Sequence, residues 1–445
     1  MRKEDFDVVI VGSGTAAQTA LAALAGSGRR IAVVAPPPLG GVCSLTGCQP
    51  KKYLAAHAEA RGRVRDLLGR GFETMPHSSW AQLQALKNAF TGSVPERTRR
   101  HIEKSAALID GRAVFVSPSQ LRVGDTLLSA ERILLATGSV PRRSGIPGSE
   151  HLGTSDDFLD LQSLPERLLF IGGGVIAFEF AHVAAALGSR VTILHRSERL
   201  LKGFDAEAVQ RFLEHSASAG IEVVTEAPVA RVVKEERGVA AVTEAGERFR
   251  ADAIFETIGR KADLSVLDGD LGGVDATGKG IKVNAFMQSV SNPRVYAAGD
   301  CTETPYRLAT VADAQGRTAA LNMLGRNAEA MDYTLVPAAL YAHPPLATVG
   351  LTEAEAEAGG LSYEVHRGET APWPSSRRLG EEAGFYKMVV GSDGVLLGAT
   401  LLRHSAPDVI NLCALAIRTK TKAEELKTML MAYPTATSDL KYMLG

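Results

Sequence analysis

The sequence predicts an α/β protein: two parallel-stranded sheets, each crossed by helices, followed by a separate α+β region. Three observations carry that expectation. An apolar run, Phe6-Asp7-Val8-Val9-Ile10-Val11, leads into Gly12-Ser13-Gly14-Thr15-Ala16-Ala17, an Ala/Leu-rich helix to about Ala25 and a second strand, Ile31–Val34. The same order returns about 160 residues later as Leu168-Leu169-Phe170-Ile171, Gly172-Gly173-Gly174-Val175-Ile176-Ala177, a helix to Leu187 and the strand Val191–Leu194. From about residue 334 the pattern changes to strands at 365–370, 385–391 and 395–402 with helices at 406–418 and 422–431.

Strand, glycine turn, helix, strand is the context in which such a glycine motif marks a dinucleotide site. Gly12 permits the tight turn, Gly14 lets a pyrophosphate approach the backbone, and Ala17 allows close helix–strand packing. A single motif is also met as an ordinary turn of an α/β protein. Two in the right context predict two dinucleotide sites.

Between them, residues 40–52 read GGVCSLTGCQPKK. Cys43 and Cys48 flank four residues, and the run should open a helix through Lys51, Lys52 and Tyr53. Unpaired N–H groups and the dipole at a helix N-terminus favour a thiolate, and this spacing lets an intrachain disulfide open and close without unfolding. Two buried structural thiols are the plainer alternative. Helices are further expected at 50–70 and 79–106, with small strands near 107–135.

The bulk properties agree. A chain of 445 residues should hold about three domains at ~100–200 residues each. With 45% hydrophobic residues and net charge −1, no basic surface argues for nucleic acid. Met1–Asp5 is charged and leads straight into a strand, without the apolar core of a signal peptide. No run reaches the ~18 apolar residues that span a membrane. Cys301 and Cys413 are the only other cysteines, which fits a reducing, cytoplasmic setting where the Cys43/Cys48 pair is catalytic.

The chain resembles the FAD-dependent pyridine nucleotide–disulfide oxidoreductases of the glutathione reductase, lipoamide dehydrogenase and mercuric reductase type, nearly end to end. The resemblance rests on the redox run, on Ala136-Thr137-Gly138-Ser139, Thr257-Ile258-Gly259-Arg260 and Tyr296-Ala297-Ala298-Gly299-Asp300, and on Thr348-Val349-Gly350-Leu351-Thr352-Glu353. It implies two Rossmann-like domains, for FAD and NAD(P), plus a dimerisation domain. The expected division is 1–145 and 263–333 for FAD, 146–262 for NAD(P) and 334–445 for the interface.

It also implies roles. Electrons pass from NADPH through FAD to a Cys43–Cys48 disulfide, Cys48 being the thiol beside the flavin and Cys43 the outward one that meets substrate. Lys52, one helical turn beyond Cys48 and on the same face, approaches the flavin and pairs with Glu179. An ordinary surface ion pair, worth little, is the competing reading of that pair. Gly12, Gly14, Thr15, Ala17, Gly41, Val42, Ala113, Thr137, Gly138, Asp300 and Ala309 would hold FAD, Asp300 at the ribityl chain. Gly172, Gly174, Val175, Ile176 and Gly259 would hold the nicotinamide nucleotide. After its second strand, NAD enzymes carry an acid on the ribose 2′-OH and NADP enzymes an Arg. Here Leu194-His195-Arg196-Ser197-Glu198-Arg199 has no acid at 195, and Arg196 with Lys202 matches the basic pair of glutathione reductase, so NADPH is expected over NADH. A charged solvated turn is the alternative.

Two positions depart from the family. Ala35 stands where a glutamate normally grips the FAD ribose. Near the C-terminus, a His-Pro-Thr segment followed by glutamate normally enters the partner subunit's site to exchange protons; here it reads Ala432-Tyr433-Pro434-Thr435-Ala436-Thr437-Ser438-Asp439. A tyrosine titrates near ~10 against ~6.5 for histidine, a gap of roughly 5 kcal/mol of proton affinity. Tyr433 is thus a poor proton store, though it can donate a hydrogen bond or merely pack. An obligate homodimer is expected, its site completed by the partner's C-terminal segment.

Tyrosine at this place is what mercuric reductases carry, and soft thiolates suit a soft metal ion. No bound structural metal is expected. The C-terminal cysteine pair of those enzymes has no counterpart in Met443-Leu444-Gly445, while Cys48-Gln49-Pro50-Lys51-Lys52 and His343-Pro344-Pro345 look more like glutathione reductase. 2-Ketopropyl-coenzyme M oxidoreductase/carboxylase also lacks the histidine and acts on a thioether. The acceptor is therefore open among a small-molecule or small-protein disulfide, a soft metal ion and a carbon–sulfur bond. A non-catalytic flavin-binding redox sensor is the reading from a different class.

Overall fold

The computed structural model describes residues 2–325 and 330–445. The chain divides into two compact units, one made of Met1–Lys51, Ala85–Arg142 and Arg260–Tyr333, the other of Lys52–Gln84, Arg143–Gly259 and Thr334–Gly445.

In the first unit the sheet runs Ala107–Asp110, Ile31–Ala35, Arg2–Val11, Thr126–Leu135, Gln120–Val123, Ala113–Ser117, with Val295–Ala297 also paired to Thr126–Leu135. The pairs around Arg2–Val11 are parallel and the last two form antiparallel ladders. Val8 and Ile10 pack with Leu21 and Leu24 of the helix Thr15–Leu24, whereas Phe6, Val9 and Val11 pack with Leu121 and Val295 on the other face. A strand covered on both faces must be apolar at consecutive positions. That is why Val8-Val9-Ile10-Val11 reads as a run and not as an alternation.

The second unit repeats the device. Ile221–Val224, Arg190–Leu194, Arg167–Ile171, Ala253–Glu256 and Gly153–Thr154 form a parallel sheet. Phe158 and Phe180 meet at 4.2 Å between ring centroids and Phe158 and Phe255 at 5.4 Å, an aromatic cluster under the helix Val175–Ala186. An antiparallel sheet, Ala338–Leu340, Leu346–Gly350, Leu396–Leu402, Phe385–Gly391, Tyr363–Glu369, carries the helix Ala406–Thr419. The first two of these strands, and the three-stranded sheet Val229–Lys234, Val239–Thr243, Arg248–Ala251, are not among the strands read from the sequence. They are short, and periodicity is weakest over short segments. The helix expected at 422–431 is Ala423–Thr428, because Met429 is already extended. Among the described residues no helix is long and apolar enough to cross a membrane.

Candidate active site

The first glycine turn walls a cavity of about 270 Å³ in the first unit. Gly12 has φ +125°, and a Cβ on it would lie 2.2 Å from the Ala136 carbonyl oxygen, so only glycine fits. Gly41, at φ +74°, presses its Cα against Gly14, where a Cβ would come within 2.4 Å of the Gly14 Cα. Gly14, Thr15, Gly41, Val42, Ala113, Thr137, Gly138, Asp300 and Ala309 all line this cavity. Ala17 does not; it is buried in the helix–sheet core.

The lining suits FAD. Gly138 lines the cavity at φ +74°, and a Cβ on it would meet no atom within 4 Å. The helix Ala309–Met323 begins at the wall with an uncapped N-terminus, a place suited to accept negative charge. Ser139 Oγ donates to Asp300 at 2.8 Å and receives Arg260 Nε at 2.9 Å, which holds the carboxylate in place. Ala35 lines the cavity with a methyl only, and the walls beside it are Pro36, Pro38, Gly111 and Arg112. The neighbouring Asp110 carboxylate is taken by Arg99, at 3.0 and 2.9 Å, and does not replace the missing glutamate.

Cys43 and Cys48 both stand on the wall of this cavity as thiols. Cys43 lies in the short helix Gly41–Leu45, and Cys48 is the first residue of the helix Cys48–Asp66. A hydrogen bond to Cys48, then burial, then the Cys48 charge push the Cys43 thiol far above its ordinary value, while a Thr15 hydroxyl pulls it back. The direction within the pair is thus toward the neutral thiol at Cys43. Thr15, expected at the cofactor, is thus also a partner of Cys43, a contact the sequence did not signal. Cys301 and Cys413 are buried, Cys413 pushed up to about 12, and neither is placed to exchange with substrate.

In the second unit Lys52 Nζ meets Glu179 Oε1 at 2.6 Å. The glutamate is wholly buried, which excludes an ordinary surface pair. Tyr341 completes the arrangement from far along the chain: its N–H donates to Glu179 Oε1 at 2.9 Å, and its ring lies 3.8 Å beneath the Lys52 ammonium. The second glycine turn repeats the first. Gly172 has φ +115° with a Cβ position 2.6 Å from the Thr257 carbonyl oxygen, and Gly174 faces space empty to 4 Å. Val175, Ile176 and Glu179 lie on the helix that follows, and Gly259, at φ +102°, lies in the turn between the strands Ala253–Glu256 and Arg260–Ala262. Arg196 and Lys202 are exposed on the loop after Arg190–Leu194.

The C-terminal segment presents Tyr433 at 63% exposure, with the Lys441 ammonium 6.0 Å from its ring. Ser438 turns inward, its hydroxyl exchanging hydrogen bonds with Thr435. Asp439, one step past the family's glutamate position, is buried and pairs with the fully buried Arg403 at 2.8 Å. It anchors the segment and does not serve position 433. A further cavity of about 540 Å³ in this unit is lined by Arg65, Arg70, Arg211 and His215. Arg70 and Arg211 are already paired with Glu382 and Glu369 there.

Comparison with known proteins agrees with this geometry. The pyridine nucleotide-disulphide oxidoreductase family matches residues 6–316, and its dimerisation domain matches residues 336–444. A glutathione reductase of Burkholderia cepacia is 31% identical over 441 residues, covering 98% of this chain and 97% of that protein. A mercuric reductase of Staphylococcus aureus is 31% identical over 452 residues, covering 99% of this chain and 82% of its own. Among solved structures, the HOCl-induced flavoprotein disulfide reductase RclA from Escherichia coli superposes with a TM-score of 0.90 at 24% identity, covering 98% of this chain and 99% of that one. That likeness speaks for the fold alone. The chain belongs to the pyridine nucleotide-disulphide oxidoreductase family and is an FAD-dependent NAD(P)H oxidoreductase with a dimerisation domain.

Proposed function

We propose that NADPH is the donor, that Cys43 and Cys48 are the redox pair, and that the acceptor is a disulfide or another thiol-reactive species reached by Cys43. The observation that carries this reading is the placement of both thiols on the wall of the cavity that the first glycine turn and Asp300 also line. Bound there, FAD supplies the two-electron link between a nicotinamide and the cysteine pair. Once reduced, Cys43 Sγ attacks a substrate disulfide, forms a mixed disulfide and releases one thiolate. Cys48 Sγ then attacks Cys43 Sγ, releasing the second thiolate and closing the Cys43–Cys48 bond. Glu179 holds the Lys52 ammonium against the Tyr341 ring.

The Cys43 thiol is pushed upward by its hydrogen bond to Cys48 and by burial, so its attack is helped by a group that takes the proton. The family's histidine would do so; Tyr433 of the partner subunit in a homodimer is a far poorer acceptor at neutral pH. Weak turnover of glutathione disulfide follows. The relatives similar over nearly the whole of this chain include a mercuric reductase, so a soft metal ion is the second acceptor class.

The test is NADPH oxidation by the purified flavoprotein against glutathione disulfide, Hg(II), Cu(II) and a thioether, with alkylation of exposed thiols before and after reduction. Two thiols gained on NADPH addition, lost in Cys43→Ser and Cys48→Ser, support the redox pair. No gain sinks it. Neutral replacement of Arg196 and Lys202 should raise KM for NADPH far more than for NADH; equal effects remove those residues from 2′-phosphate recognition. High native turnover of glutathione disulfide overturns the Tyr433 argument.

A further inference from the structure

One residue of the second glycine turn carries three ties to the loop after the second strand. The Gly173 N–H donates to His195 Nδ1 at 3.0 Å. Its carbonyl accepts from the Leu201 N–H at 3.3 Å. A Cβ at 173 would lie 2.0 Å from Leu200 Cδ2 and 3.0 Å from His195 Cγ, so the leucine and the imidazole lie on the bare Cα. Leu201 is held at φ +44°, a left-handed conformation that side-chain-bearing residues avoid. Arg196 lies between these anchors and Lys202 just beyond them.

An imidazole that accepts at Nδ1 is the neutral Nε2–H tautomer. Its Nε2–H then donates to Ser197 Oγ at 3.0 Å, within the same loop. Burial first, and the Lys202 and Arg196 charges with it, hold His195 below its ordinary value, against the pull of a hydrogen bond with the Arg199 backbone. The ring therefore serves as a neutral bridge between turn and loop.

We propose that His195 is a positioning residue for 2′-phosphate recognition: by joining the Gly173 N–H to segment 195–202 it sets where Arg196 and Lys202 stand. The inference rests on the NADPH reading above. His195 occupies the place where an acid would grip a 2′-hydroxyl, yet its hydrogen bonds face the protein, so it acts through the loop and not on the ribose.

The test is calorimetric binding of 2′,5′-ADP and of 5′-ADP to the holoenzyme, with KM and kcat for NADPH and NADH beside it. His195→Ala removes one partly buried hydrogen bond, and is expected to weaken 2′,5′-ADP about tenfold with little change for 5′-ADP and an unchanged kcat. Gly173→Ala, which displaces Leu200 and the ring, should behave alike. His195→Asn, which can still place an acceptor near the Nδ1 position, should recover most of the affinity. If Arg196→Ala loses 2′,5′-ADP and His195→Ala does not, the positioning role is overturned and the NADPH reading stands. If neither variant separates the two ligands, the NADPH reading itself falls. Equal weakening of both ligands by His195→Ala, or no recovery with His195→Asn, also overturns the proposal.

Discussion

Gly12 and Gly172 hold φ of +125° and +115°, and a Cβ on either would strike a carbonyl oxygen of the opposing strand end, Ala136 or Thr257. Ala17 and Ala177 are both buried beneath their helices. In both turns the middle residue ties back to the loop after the second strand, but by different means: Ser13 Oγ accepts the Gly40 N–H at 3.1 Å, whereas Gly173 offers its own N–H to His195. The loops then diverge. At equivalent positions one reads Ala35-Pro36-Pro37, Ala35 still closing its strand, and the other His195-Arg196-Ser197. The helices diverge as well, since Glu179 is buried at the place where the first helix has the partly exposed Thr19, bonded to Asp313. The residues that bend the backbone at the turn are thus the same in both units, and the two units differ in the side chains of the loop and the helix that follow it.

The strongest break of this comparison is an alanine at the first glycine of either turn. The forbidden φ and the clash together should cost about 3 kcal/mol or more. Gly12→Ala is expected to yield protein without bound flavin, judged by visible absorbance. Gly172→Ala should keep the flavin and lose nicotinamide binding. Loss of flavin from both variants would mean that the two turns do not serve separate nucleotides.

Next comes the asymmetry of the two helices. Lys52→Met leaves Glu179 buried without its cation, which should cost about 3–5 kcal/mol in chemical denaturation. Thr19→Val in the first helix, where the bond is exposed, should cost under about 1 kcal/mol. Comparable losses would show that the Glu179 pair is solvated in solution.

The units should also part in acid. His182 is buried in the second turn's helix and held near a pKa of about 3, chiefly by burial and then by the His215 and His343 charges; His215 is likewise lowered to about 4. A lowered histidine pKa means the folded state favours the neutral ring, so stability is complete above the unfolded value near 6.5 and falls as pH drops toward those values. His182 alone should remove about 2 kcal/mol between pH 6.5 and 5. The first unit contains one histidine, the exposed His101. Hydrogen exchange should therefore show the second unit opening first in acid, with His182→Gln flattening the profile. Simultaneous opening would assign acid lability elsewhere.

The smallest effect is at the first loop. Ala35→Glu adds the carboxylate the family normally carries and should tighten FAD about tenfold, roughly 1.4 kcal/mol, by fluorescence titration of the apoprotein. Weaker retention would show that the Pro36 and Pro38 walls leave the acid no room.

Much of the site was legible because its signals are local. A glycine at a turn, two cysteines flanking four residues, and the lack of an acid at 195 each sit within a few residues of what they determine. Tyr433 was legible as a departure from a family segment. The rest was not. Tyr341 supports Glu179 across 162 positions, and Asp439 pairs with Arg403 in the second unit; neither residue has a type or spacing that announces its partner. Asp439 shows the difference most plainly. On sequence it is a carboxylate one step late for its usual task, and in the structure burial beside a guanidinium gives it another.

By itself the sequence determined the two strand–turn–helix units, the cysteine run and the basic loop, since backbone conformation and side-chain chemistry at those points depend on residue type and near neighbours. Only the tertiary structure decided which polar groups are desolvated. Burial turns Lys52 and Glu179 from a surface pair into a held pair and lowers the His195 imidazole, while the Cys48 contact, ahead of burial, raises the Cys43 thiol. The energy of a charge or a hydrogen bond depends on what surrounds it, and in this protein those surroundings come from segments scattered along the chain.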